Sequence, residues 1–301
     1  MEVGFIGLGR MGKRMALRLM SKKHRVIAYD INKKQISEVK SKGCKTANSV
    51  KELVESLKPK RTIIIMVPEK NVYGIIKELK PYLSKGDIVI NAGNSYYKNS
   101  IRNAKYLASK NVYFLDVGTS GGLKGATNGA SMTVGGNKNA YERAFPILKA
   151  LAAKDGLYYV GESGAGHFIK MVHNAIEYGI LQAYGEGFEL LHNAPYKFDL
   201  KKIAYNWNHG SIVQSRILEL AEKAFKKHGN FKKIVGIVEG GQSGGWAITE
   251  AKKRGLSFSM AKLALKLRHQ SYKKQSFSSK FVAVLRNTFG GHRLHLKKNK
   301  Q

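Results

Sequence analysis

The chain has 301 residues, with 53 Lys and Arg against 20 Asp and Glu, a formal net charge of +33. That length allows two domains with real cores, and an apolar fraction of 43% excludes wholesale disorder. The single cysteine, Cys44, excludes an internal disulfide and a thiolate metal cluster, and no apolar run is long enough to cross a bilayer.

The first residues carry no basic leader or cleavage pattern, and the nine His lack an HExxH-type spacing. The expectations are a cytoplasmic protein, no structural metal and no membrane partner. Basic residues are spread along the whole chain, and only Lys-Lys-Asn-Lys-Gln at 297–301 looks like an arm. The charge is read first as a general compositional bias, second as steering of an anionic substrate and cofactor, and last as nucleic-acid binding. No nucleic-acid motif accompanies it, so no specific nucleic acid is expected.

Residues 2–6 read as an apolar strand. Gly7-Leu8-Gly9-Arg10-Met11-Gly12 follows, then a helical pattern through Leu19, then a strand over 25–29 closed by Asp30. This is the βαβ order that binds a dinucleotide. Gly7 would make the tight turn, Gly9 would let the backbone approach a pyrophosphate, and Gly12 would let helix and strand pack. Asp30 stands where a carboxylate accepts from the ribose hydroxyls and repels a 2′-phosphate, favouring NAD over NADP. An ordinary turn aspartate is the plainer alternative.

Apolar runs at 62–67 and 88–90 suit a parallel sheet covered on both faces, with helices over 49–58 and 70–83. Further strands are predicted at 112–117, 130–134 and 156–160, and a helix at 139–152. Two loops after strand ends, Asn91–Ser95 and Gly118–Gly122, stand where such sheets place ligands. The expected class is therefore α/β: an N-terminal doubly wound, Rossmann-type parallel sheet over 1–162, then a mostly α-helical domain over 163–301. The glycine-rich stretch 161–166 marks the join.

A long helix is predicted from Gly166 towards Pro195. At helical spacing, Lys170, His173, Asn174 and Glu177 share one face. A solvated polar stripe is the bland reading. Phe168, Met171, Val172, Ile176 and Ile180 fill the remaining surface, so the helix is expected to be buried on several sides and its polar row to be a site. Helical spacing recurs over 198–228, 246–254, 259–274 and 278–287, with 240–245 read as a glycine-rich loop.

Five motifs in this order carry a resemblance: GFIGLGRMG at 4–12, GNS at 93–95, SGG at 120–122, GHFIKMVHNAIEYG at 166–179 and RNTFGGH at 286–292. The chain resembles the decarboxylating 6-phosphogluconate dehydrogenases in their short form, within the β-hydroxyacid dehydrogenase superfamily. The resemblance implies oxidation of 6-phosphogluconate by NAD or NADP without a metal. It implies Lys170 as general base and Glu177 as the acid that protonates the enediol. Gly7, Leu8, Gly9, Arg10, Met11, Gly12, Asp30, Val67 and Asn94 would line the cofactor. Asn94, Ser120, Gly121, Gly122, His173 and Asn174 would hold the substrate carboxylate and hydroxyls. Tyr178, Arg268 and Arg286 would hold the phosphate, with His292 nearby. The last two would reach a neighbouring subunit's site, implying a homo-oligomer, dimer or tetramer. Longer relatives carry Asn-Arg-Thr where this chain has Asp30-Ile31-Asn32, which again favours NAD. They carry Lys where it has Gly245, so one phosphate contact is missing here or supplied by another residue. The alternatives are a non-decarboxylating dehydrogenase of the 3-hydroxyisobutyrate kind and a basic nucleic-acid-binding protein on the same fold.

Overall fold

A computed structural model describes residues 1–297; the basic arm beyond Lys297 lies outside them. The chain divides into two compact units, one over Met1–Met171 and one from Val172 onward.

In the first unit, β1 (Glu2–Ile6), β2 (Arg25–Tyr29), β3 (Lys45–Thr46), β4 (Thr62–Ile65), β5 (Ile88–Asn91), β6 (Tyr113–Ser120), β7 (Ala130–Gly136) and β8 (Ala152–Gly161) form one sheet. Its order is β3-β2-β1-β4-β5-β6-β7-β8. Every pairing is parallel except β6 with β7. The strand order reverses between β1 and β4, and such a switch point opens a crevice beyond the strand ends. Val3, Phe5, Ile64, Ile88 and Ile90 pack on one face, while Ile6, Ile27, Ile63, Ile65 and Val89 pack on the other. The apolar runs thus alternate between two covered faces, as a parallel sheet requires.

Helices α1 (Gly12–Ser21), α3 (Val50–Glu55), α4 (Glu69–Leu79) and α7 (Lys138–Leu151) stand where the spacing predicts them. Three others were not expected: α2 (Lys33–Lys40), α5 (Tyr97–Ala108) and α6 (Gly122–Asn128). The supposed loop 118–122 is also different. Strand β6 runs on through Ser120, Gly121 adopts φ 122° and Gly122 opens α6.

The helix α8 (Ala165–His192) runs through the division between the units. At 1.5 Å per residue it is about 42 Å long. In the second unit come α9 (Leu200–Trp207), α10 (Arg216–His228), α11 (Gln242–Lys253), α12 (Ser259–Gln270) and α13 (Phe277–Gly290). The helix expected over 198–228 is two helices, because the chain turns at 208–215 through Gly210 at φ 92° and Ser215 caps α10. Two short strands, β9 (Ile234–Val235) and β10 (His295–Leu296), pair antiparallel and were not foreseen. Rings of Phe188, Phe225, Phe231 and Phe281 pack together within the core, Phe188 stacked on Phe281 and Phe225 on Phe231.

The expectation of a helix buried on several sides is corrected. Met171, Ala175, Tyr178, Leu181 and Phe188 are buried, but Ile176 is 50%, Ile180 42% and Leu190 74% exposed. An apolar residue need not be covered within its own chain.

The start of α8 is wedged against the sheet. A Cβ at Gly166 would come within 3.0 Å of the Asp116 and Thr133 carbonyl oxygens, and one at Gly118 would meet Lys170 and the Gly166 carbonyl equally closely. Gly166→Ala should therefore destabilise the sheet unit by about 1–3 kcal/mol, the range for overpacking. Denaturant unfolding checks this, and a variant within about 0.5 kcal/mol of the parent would contradict it.

Candidate active site

The glycine turn between β1 and α1 divides its tasks as the motif requires. Gly7 has φ 98°, its N–H donates to the Tyr29 carbonyl at 2.9 Å, and a Cβ there would strike the Met66 carbonyl. A Cβ on Gly12 would strike the Gly7 carbonyl, so only glycine lets α1 pack this close. Gly9 has nothing within 4 Å of its Cβ position. An open backbone face there fits the approach of a pyrophosphate. Met11 caps α1 without a side-chain hydrogen bond, and no acid occupies the first turn. Helix N–H groups without an internal partner suit an anion.

Asp30 ties this turn to the end of β2. Its Oδ2 accepts from the Leu8 N–H at 2.6 Å and its Oδ1 from the Asn32 N–H at 2.8 Å. Leu8 is buried, Arg10 exposed and Met11 half-buried. Val67 lies beside Gly7 and Gly93, its carbonyl 3.0 Å from the Gly93 Cβ position. The loop 91–95 closes on itself. Asn91 accepts from the Gly93 N–H at 3.1 Å and donates to Ser95 Oγ at 2.9 Å, leaving Asn94 exposed.

Lys170 lies in the same unit. Its Nζ donates to Ser120 Oγ at 2.8 Å. One turn earlier, Asp116 holds the helix start: its carboxylate accepts from the Gly164 N–H at 2.6 Å and the His167 N–H at 2.8 Å. Asp116 is fully buried. A carboxylate at a helix N-terminus both satisfies orphan donors and complements the dipole. Asp116 was missed in the sequence, where it reads only as the end of an apolar strand.

The second unit assembles the remaining residues. Asn174 Nδ2 donates to Ser243 Oγ at 3.1 Å, and the Tyr178 hydroxyl shares a hydrogen bond with the same Oγ at 3.2 Å. Ser243 was not singled out because it sits in a run of glycines. The structure places it in α11, not in a loop, and Gly244 beside it leaves the space the Tyr178 ring fills. The Arg268 guanidinium lies 3.6 Å above that ring. Arg268 is 4% exposed, and its Nη1 is buried without a hydrogen-bond partner. Gly245 bears on Leu265, not on this cluster. His173 is exposed with its ring toward Asn174, and Glu177 is half-buried on the same helix.

Arg286 departs from the expectation that it reaches out to a neighbour. Helix α13 packs Phe281, Val284 and Leu285 into the core, which carries Arg286 inward. It is 7% exposed and donates to the Glu239 carbonyl of its own chain. Burial, with Arg268 beside it, pulls its pKa down to about 10, against the opposing pull of Tyr178, Glu177 and Glu239. Burial likewise lowers that of Arg268. His292 is half-buried, its carbonyl accepting from Asn287 Nδ2 at 2.7 Å. Among the described residues no cluster of His, Cys, Asp or Glu could hold a metal, and no helix is long and apolar enough to cross a membrane.

A switch-point glycine turn with an acid closing β2, and a lysine held on a strand-end serine, define an NAD(P)-dependent oxidoreductase. A family model described as the NAD binding domain of 6-phosphogluconate dehydrogenase matches residues 2–161, and one described as the C-terminal domain of that enzyme matches 166–301. The chain belongs to the 6-phosphogluconate dehydrogenase family. It is 40% identical over 292 residues to YqeC of Bacillus subtilis strain 168, covering 97% of this chain and 98% of that one. Over 295 residues it is 38% identical to the NAD(+)-dependent, decarboxylating 6-phosphogluconate dehydrogenase of Haloferax volcanii, again covering 97% and 98%. Among solved structures, the Plasmodium falciparum 6-phosphogluconate dehydrogenase superposes with a TM-score of 0.82 at 30% identity, covering 90% of this chain and 62% of that one.

Two guanidiniums buried side by side repel each other, and a bound anion relieves that repulsion. Inorganic phosphate should therefore raise the melting temperature, by about 2.7 kcal/mol of stabilisation at a hundredfold excess over its Kd. Arg286→Met should abolish the shift. Equal shifts in parent and variant would show that phosphate acts elsewhere.

Proposed function

We propose that this protein oxidises and decarboxylates 6-phospho-D-gluconate to D-ribulose 5-phosphate and carbon dioxide, with NAD the preferred cofactor over NADP. The observation that carries the reading is the content of one helix. Lys170 is held on Ser120, and Glu177 lies two turns further on, about 10 Å along the axis. The same helix supplies Asn174 and Tyr178 to a cluster holding two buried arginines.

Lys170 takes the proton of the substrate 3-hydroxyl as hydride leaves C3. NAD, when bound, supplies the hydride acceptor. The resulting 3-keto acid loses its carboxylate as carbon dioxide, the bonding pair moving onto the C3 carbonyl to give an enediol. Lys170 returns its proton to that oxygen. Glu177 protonates the carbon that becomes C1 of the ketose while Lys170 takes the proton back from the same hydroxyl, restoring the carbonyl, so protons and electrons balance without a metal. Ser120, Gly121, Gly122, Asn94, His173 and Asn174 orient the carboxylate and hydroxyls. Tyr178, Arg268 and Arg286, with His292, receive the phosphate. Arginine suits that work because its planar donors match phosphate oxygens. A dehydrogenase for a small hydroxy acid has no use for two buried guanidiniums, and this disfavours the non-decarboxylating alternative.

Asp30 supports the preference for NAD. With Leu8 and Asn32 holding it, the carboxylate stands fixed where a 2′-phosphate would be repelled. A cytoplasmic homo-oligomer completes the reading. Ile176, Ile180 and Leu190 lie exposed on α8, whose 28 residues include Lys170 as their one Lys or Arg in a chain of charge +33. Two such chains repel least along that row.

Glu177→Gln should lower ribulose 5-phosphate formation by about 10²–10⁴-fold with cofactor binding retained. Unimpaired turnover would remove Glu177 from its role. Asp30→Ala should raise kcat/KM with NADP relative to NAD by about tenfold or more, the worth of one charge contact. An unchanged ratio would dissociate Asp30 from cofactor choice.

A further inference from the structure

The helical unit holds a cavity of about 520 Å³. Tyr178 and Arg268 line it, and so do Lys273, Lys274, Ser276 and Ser278, to which the reaction above gives no role. Among the described residues, three cations line this cavity and no Asp or Glu does. A pocket of this size takes a small molecule, and the few polar groups on its walls decide which. Cations and hydroxyls are the set that suits a phosphate.

The two lysines follow the end of α12, on a turn that is tied down at several points. Their backbone N–H groups both donate to the Gln270 carbonyl at 2.9 Å. Gln275 Nε2 donates to the Ser271 carbonyl at 2.9 Å, and Ser276 then caps α13 by accepting from the Ser279 N–H. Ser271 joins this turn to the guanidinium-bearing turn of α12. It is buried, its hydroxyl donates to the Arg268 carbonyl at 2.6 Å, and it accepts from the Val238 N–H at 2.9 Å. The backbone under both lysines is thus fixed relative to Arg268, while their side chains stay exposed.

Neither ammonium meets a carboxylate among the described residues. Two acids of α8 come close to the same elements, and both are engaged elsewhere. Glu186 accepts from Gln182 and Glu189 from the Phe277 N–H, and neither lines the cavity. Arg286 does not line it either. An anion resting on Arg268 from the cavity side therefore meets Lys273 and Lys274 as its further cations. An ammonium acts as a point charge with three rotatable donors, so it can serve a phosphate whose orientation the planar guanidinium already sets.

We infer that Lys273 and Lys274 are specificity-determining residues that hold the substrate phosphate together with Arg268, and so select a phosphorylated over an unphosphorylated sugar acid. The assignment to the substrate rests on the proposed function; the phosphate contact itself does not.

The test compares the pair Lys273→Met and Lys274→Met with the pair Lys273→Arg and Lys274→Arg. A third pair, Lys226→Met and Lys227→Met, removes the same charge from the last turn of α10, outside the cavity. Steady-state kinetics with 6-phosphogluconate are read beside inhibition by inorganic phosphate and by D-gluconate. The cavity Met pair should raise KM for 6-phosphogluconate and the inhibition constant of phosphate about tenfold or more, the worth of one charge contact. Its kcat should stay within about twofold, the pattern of lost ground-state binding, and so should its constant for gluconate. The Arg pair should stay within about threefold of the parent in every readout, because it keeps the charge. An unchanged KM overturns the assignment, even where phosphate binds more weakly, since the anion site would then stand apart from the substrate. An equal loss in the α10 pair, or an equal loss for gluconate, overturns it too, because either marks general steering by charge. If the parent does not turn over 6-phosphogluconate, the proposed function fails. The rise in melting temperature with inorganic phosphate, compared between the parent and the cavity Met pair, then decides whether these lysines hold a phosphate.

Discussion

Everything near the proposed base depends on a register of two rungs between strand β6 and helix α8. Asp116 takes the helix's first free N–H groups, and four residues along the strand Ser120 takes the Lys170 amine. Positions four apart on a strand point to the same side, and positions three apart on a helix lie on neighbouring rows, so the two rungs reinforce each other. Hydrogen bonds to charged groups are worth roughly 1.5–3 kcal/mol each, but the geometry matters more here than the sum. The rungs close only because backbone meets backbone. Gly118, Gly135 and Gly166 each lack a Cβ that would fall within 3.0 Å of a neighbouring atom. Any side chain at these positions would lift the helix and draw the amine away from its serine.

The helical unit works by a different principle, stored electrostatic strain. The Arg268 guanidinium lies over the Tyr178 ring and Arg286 is sunk beside it, both nearly buried and both with lowered pKa. A buried cation without a full set of partners destabilises the resting protein. The orphan Nη1 of Arg268 shows that the set is incomplete. An anion with several oxygens removes the penalty when it binds, so part of the burial free energy becomes binding free energy. Only a few of the chain's cations take part. The large net charge is therefore no explanation of this cluster, which is made by burial.

The sequence made the glycine turn, the acid after β2 and the long helix legible because each rests on local spacing: a turn only glycine can make, a period of two, a period of 3.6. Asp116 and Ser243 were not legible as site residues. Their partners are 51 and 69 positions away, and no local pattern encodes such a meeting. Helix α5 was hidden by its mixed polarity, and α6 by two glycines that read as a loop although one of them supplies the positive φ from which the helix begins. The exposed isoleucines of α8 misled in the opposite sense. Apolar periodicity predicted cover, and the chain by itself does not provide it.

The central claim is that one helix holds both the group that removes a proton from the alcohol and the group that delivers one to carbon. Running the reaction with 6-phosphogluconate and NAD in D₂O tests this most directly, with reduced nicotinamide, carbon dioxide and product label measured together. The account predicts one carbon dioxide per NADH and a ribulose 5-phosphate with a single deuterium at C1, on one face only. NADH formed without carbon dioxide, or label distributed equally over both faces, would contradict it.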